Sequence, residues 1–180
     1  MKLLYGLLLC SFVSSASVKD CLPYAKSLAA GYATIYVTAY AHIWGHAFAA
    51  KTLFDVPSTI TVTLTLLKSE ISHNGVRFLN GGLKDALYNI SGSAFSLATL
   101  YATLKLNSMV SQYSKDKSLL QTIKDGYNKP LIHKEQDKGV QAAVALGVCS
   151  ELLHMIPIKN FNNGQGNDGY QCLKALNIIS

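Results

Sequence analysis

In the run AHIWGHAFAAKTLF, from Ala41 to Phe54, two histidines stand four residues apart. On an α-helix that spacing sends both imidazoles out from one face, which is how a helix offers a metal ion two nitrogen ligands. A catalytic zinc takes three protein ligands and keeps a fourth position for water. His42 and His46 therefore need a third partner from elsewhere in the chain. Carboxylates are scarce in the apolar stretches, and Asp168, in the sequence NDGY, is the best candidate. A later apolar stretch adds Glu151 and His154, three apart and so about one helical turn from each other. Glu151 is a candidate acid–base group beside such a metal. His154 fits an extra ligand, a proton donor or a hydrogen-bonded core group. Against the metal stands a plainer reading, in which the histidine pair simply hydrogen-bonds across a helix interface.

The elements that must position these residues follow from composition. A chain of 180 residues makes one domain or one small membrane bundle. Apolar residues supply 49% and charged residues 14%, well short of the roughly 25% charged residues of ordinary soluble domains. With a mean hydropathy of +0.22, that deficit points to a membrane. The net charge of +6 does not indicate nucleic acid, because the lysines are scattered between apolar runs and do not cluster with aromatics on one face. At the N-terminus Lys2, the apolar run Leu3 to Val13 and the small residues Ser14 and Ala16 predict a secretory signal cut after Ala16 or an uncleaved anchor, over residues 1–17. The membrane domain is then 18–180. Outside the leader, Cys21, Cys149 and Cys172 form no C-x-x-C pair, which argues against a disulfide framework or a cysteine zinc site.

Three runs are long enough to cross a hydrocarbon core of roughly 30 Å. They lie between Lys26 and Lys51, between Asp85 and Lys105, and between Lys138 and Lys159. The expected fold is thus mainly α, a polytopic membrane helix bundle of about three spans with a small β-hairpin. It would be an integral membrane protein of a plasma or inner membrane, in contact with the lipid bilayer. The hairpin comes from TITVTLTLL, whose alternation is a strand signal, and from the Asn74-Gly75 turn followed by VRFL. Asn107 to Asp137 is polar and lysine-rich, and Phe161 to Gly169 reads as a glycine and asparagine loop. Three crossings would return Asp168 to the membrane side on which the first span ends, beside His42 and His46.

With these residues in view, the chain from about Tyr24 onward resembles the site-2 protease family of intramembrane zinc metalloproteases. The first motif of that family reads H-E-x-x-H-A-x-x-A; His42 and His46 match its two histidines, and Gly45, Ala47 and Ala50 fit the family's habit. SGSAFSLATL resembles its small-residue second helix, and the stretch Thr59 to Leu79 its β-element. HMIPIKNFNNGQGNDGYQ resembles its N-x-x-P and D-G motif through Pro157, Asp168 and Gly169. The resemblance implies zinc held by His42, His46 and Asp168, and hydrolysis of peptide bonds in or near transmembrane protein substrates. Three departures stand against it. Ile43 replaces the glutamate that serves the family as general base, His154 replaces an asparagine, and the spacing from Pro157 to Asp168 is longer than the family's. A missing base costs about 10²–10⁴-fold in rate. Glu151 is the one substitute base in an apolar span. A pseudoprotease that binds transmembrane segments without cutting them is the alternative, and a purely structural membrane protein the third.

Overall fold

The computed structural model describes residues 18–63, 68–73, 81–159 and 167–179. The leader over 1–17 lies outside them, as do Val76 to Leu79 and most of the glycine and asparagine loop. Seven elements follow in order: α1 (Val18–Phe54), β1 (Ser58–Thr63), β2 (Lys68–His73), α2 (Leu83–Ser111), α3 (Leu119–Asn128), α4 (Lys138–Met155) and α5 (Asp168–Ala175).

Three long helices, α1, α2 and α4, pack pairwise around a shared interior. Their contacts are built largely from small residues. A Cβ added at Gly139 of α4 would overlap the Ser27 carbonyl of α1, and one at Gly45 of α1 would lie 2.6 Å from the Ser91 carbonyl of α2. Helix backbones approach this closely only where side chains are absent or short. Hydroxyls on the same faces are paired locally: Thr34 and Thr38 bond the carbonyls one turn back, and Ser96 donates to the Thr38 carbonyl at 3.1 Å. The apolar core proper is Leu100 and Leu104 of α2 against Val140 and Val144 of α4. Asp137 caps α4, accepting from Val140 N, and takes a second bond from Ser27 Oγ at 2.8 Å, which ties the start of α4 to α1.

The expected membrane bundle is overturned. Among the described residues no helix is long and apolar enough to cross a membrane, and the integral-membrane placement goes with it. Length is not what fails, since α1 runs for 37 residues. Its stretch from Ser27 to Ala50 is made mostly of Ala, Gly, Thr, Tyr and His, with few strongly apolar side chains. The α2 run carries Asn89, Ser91, Ser93 and Ser96, and the α4 run carries Gln141, Glu151 and His154. The low charge of this chain reflects small and weakly polar residues that let helices approach each other.

The hairpin exists with a different boundary. β1 and β2 pair antiparallel, Ser58 opposite His73 and Thr63 opposite Lys68, so the strands are joined through residues 64–67 and not through Asn74-Gly75. Alternation through Leu66 extended the expected first strand into that connection. Asn107 to Asp137 resolves into the end of α2, the helix α3 and the approach to α4.

Candidate metal centre

His42 and His46 occupy adjacent turns of α1 and turn their Nε2 atoms toward each other, 3.3 Å apart. Asp168, the first residue of α5, brings Oδ2 to 3.3 Å from His42 Nε2 and 3.6 Å from His46 Nε2. Two elements distant in sequence, α1 and α5, thus deliver the two histidines and the aspartate to one point. Ile43, the residue between them in the motif, is 4% exposed.

What each imidazole does with its other nitrogen fixes its chemistry. His42 Nδ1 lies 3.0 Å from Glu151 Oε2 of α4, and His46 Nδ1 lies 3.0 Å from the Tyr88 carbonyl of α2. Both partners only accept, so each Nδ1 carries the proton. In the neutral rings both Nε2 atoms then present lone pairs, and Asp168 Oδ2 adds a third. That oxygen is buried and makes no hydrogen bond of normal geometry among the described residues. Three electron-rich atoms facing one another at these distances repel unless a cation lies among them.

A proton is the smallest such cation. Burial disfavours a charged His42, but Asp168 and Glu151 together outweigh it and raise its pKa to about 9. Conversely, although burial opposes ionisation, the two histidines hold the Asp168 carboxyl well below the usual carboxylate range. Burial likewise opposes ionisation of Glu151, yet His42, helped by the Ser93 and Ser96 hydroxyls, holds it low. The Tyr88 ring lies tilted against the His46 ring with centroids 5.0 Å apart, and burial followed by the Asp168 charge raises its phenol.

A metal ion fits the same point. Bonds of 2.0–2.2 Å at tetrahedral angles give ligand–ligand separations of about 3.3–3.6 Å, and the three observed are 3.3, 3.3 and 3.6 Å. Octahedral angles at similar bond lengths require about 2.8–3.1 Å. His42, His46 and Asp168 could therefore hold a metal ion. Room for the ion comes from Gly92 of α2. A Cβ there would overlap His46 Nε2 and stand 2.8 Å from His42 Nε2.

Asp168 is placed by its neighbours. Asn167, buried, donates from Nδ2 to the Leu153 and Ile156 carbonyls and accepts at Oδ1 from Ile158 N and Tyr170 N. A Cβ on Gly169 would overlap the Met155 carbonyl, so α5 starts flush against the end of α4. Asn167, Gly169 and Gly92 escaped the sequence reading as positioning residues. The first two flank Asp168 in the quoted NDG, which was the only signal available for them.

Glu151 sits differently from the substitute base expected of it, and His154 packs beside His42. Glu151 contacts the Nδ1 of His42, the side of the ring turned away from Asp168, which makes it an orienting group and not a base facing the ligands. His154 packs edge-on to His42 with ring centroids 5.2 Å apart. His42, Glu151 and His154 also lie close enough to form a second metal set, but that set needs the His42 nitrogen that already bonds Glu151. Elsewhere Ser108 Oγ lies 2.8 Å from His133 Nε2, with Glu135 3.7 Å beyond on the other ring nitrogen. Ser108 is fully buried and donates to the Gly126 carbonyl at 2.8 Å, so this grouping staples α3 to α2.

Compared with family models, curated proteins and solved structures, the chain matches none.

Proposed function

We propose that this chain holds a zinc ion through His42, His46 and Asp168, in a site laid out like that of a metallopeptidase. The observation that carries the reading is the convergence of three lone pairs at tetrahedral ligand spacing, with both outer imidazole nitrogens committed to acceptors. Zinc, when bound, supplies a Lewis acid that polarises a carbonyl and lowers the pKa of a coordinated water. The chain's own residues orient the ligands: Glu151 and the Tyr88 carbonyl hold the two rings, and Asn167 holds Asp168. The reaction class this layout fits is peptide-bond hydrolysis.

Two observations favour a second reading. The base position of the motif is the buried Ile43, and Glu151 spends its carboxylate on His42. A disabled peptidase that retains zinc and captures apolar polypeptide segments without cutting them accords with both facts.

Zinc analysis of purified wild type beside His42→Ala and Asp168→Ala tests the site, with one equivalent expected only in wild type. Equal metal in all three removes the proposal. Cleavage of an apolar peptide panel by wild type, abolished in His46→Ala, identifies an enzyme. Cleavage only by Ile43→Glu identifies the disabled form.

A further inference from the structure

Helix α3 is built inside out. Its buried positions are Thr122 and Gly126, through which it packs on α2 at Met109, while Leu119 and Leu120 are 73% and 78% exposed. At 100° per residue Leu119, Ile123, Tyr127 and Leu120 fill one sector about 100° wide beside the packed edge. Val110 and Tyr113 at the end of α2 and Ile132 after α3 are also exposed, at the same end of the bundle. This end lies about 25 Å along α2 from Gly92, counting 1.5 Å per residue.

The charges around this apolar sector are asymmetric. Between Ser111 and Lys138 each carboxylate is engaged: Asp125 by Lys117, Glu135 by Lys129 and Gln112, Asp137 as the cap of α4 and Asp116 by Ser114. Lys115, Lys124 and Lys134 are exposed and have no carboxylate within ion-pair distance among the described residues. Lys124 borders the apolar sector on the helix itself. Exposed leucine and isoleucine edged by tyrosine and by uncompensated lysine is the composition of a helix that lies in a membrane interface.

We propose that α3 and the end of α2 dock on an anionic lipid surface. The helix lies in the plane of the headgroups with Leu119, Leu120 and Ile123 immersed and Lys115, Lys124 and Lys134 against the lipid phosphates. No span is involved, and the surface is independent of the metal centre. Uncompensated lysine complementing negative headgroups is what selects this occupant over a protein partner.

Flotation of the full chain with phosphatidylcholine vesicles, with and without phosphatidylserine, tests the proposal. Wild type is expected to float with the anionic vesicles and to be released by salt. Each Leu119→Glu or Leu120→Glu change is expected to lower partitioning on the order of tenfold or more, and Lys124→Glu by about fivefold or more. These positions are exposed, so circular dichroism should be unchanged. Wild type that ignores anionic vesicles, or folded variants that float as well as wild type, would overturn the proposal. So would a leucine variant that changes only the sedimenting mass, because the patch would then be a protein interface.

Discussion

Gly92→Ala is the sharpest probe of the metal centre, because helix propensity and site geometry pull in opposite directions. In a helix interior alanine is favoured over glycine by about 0.5–1 kcal/mol, so α2 itself gains from the change. The added Cβ would stand 2.8 Å from His42 Nε2, whereas ordinary contact begins at 3.4 Å. That ring must retreat by the difference, 3.4 − 2.8 = 0.6 Å, and His46, which overlaps more, must retreat further. Rings displaced that far are no longer held at the separations, 3.3 Å at closest, that suit tetrahedral zinc. Structural zinc contributes about 10–16 kcal/mol across four ligands, or roughly 3–4 kcal/mol each, so losing even one ligand weakens binding on the order of 10²–10³-fold. Competition against a chromophoric chelator measures this directly, with unfolding followed on the zinc-free proteins. Gly147→Ala is the control, since its Cβ would meet only movable Leu100 methyls at 2.9 Å and 3.1 Å. If folded Gly92→Ala binds zinc as tightly as wild type, the proposed position of the ion is wrong.

Three further outcomes are expected. Glu151→Gln keeps an acceptor for His42 Nδ1 but removes the charge, and zinc affinity in the same competition assay should fall about 10–100-fold, as for other groups that orient a ligand; unchanged affinity would show that the His42 tautomer needs no carboxylate. In chelator-treated protein the raised pKa of His42 gives a stabilisation that is complete below 6.5 and lost as pH rises through about 9. The depressed Asp168 contributes above its ordinary value of 3.8 and loses that contribution as pH falls below it. Melting temperature should therefore decline on the alkaline side, and His42→Gln should flatten that limb. Asn167→Ala removes two donor and two acceptor bonds at a buried position, costing about 3 kcal/mol, and zinc affinity should fall with it. Stability that drops while affinity holds would mean that Asp168 is placed by other contacts.

The histidine pair was legible from spacing alone, because an i, i+4 relation on a helix has one geometric meaning. Asp168 was reached through a topology of three membrane crossings. The structure brings it to the histidines through α4 and the Asn167 clamp, with no described helix long and apolar enough to cross a membrane. Gly92 and Gly169 carry no signal of their own, since what a glycine does depends on the group opposite it, here an imidazole pair and a carbonyl. Glu151 was visible as a rare carboxylate in an apolar run, but which His42 nitrogen it meets depends on how α4 lies against α1. The membrane reading failed on α1 because alanine, glycine, threonine and tyrosine lower the charge fraction as leucine does. Their use is different: they let backbones approach closely.

The residues around the centre divide unevenly between holding an ion and moving a proton. His42, His46 and Asp168 would face a bound ion; Glu151, Asn167 and the Tyr88 carbonyl orient them; Gly92 and Gly169 make the space. All of these serve retention. Among the described residues nothing comparable serves proton transfer, because the motif position of the base is Ile43, enclosed at 4% exposure. A carboxylate placed there would have to be buried, and burial opposes its ionisation. Ile43→Glu should therefore make folding more dependent on bound zinc than it is in wild type. On the zinc reading proposed above, retention and hydrolysis are thus separable: the first would rest on eight groups, and the second would wait on a position that the fold has filled with hydrocarbon.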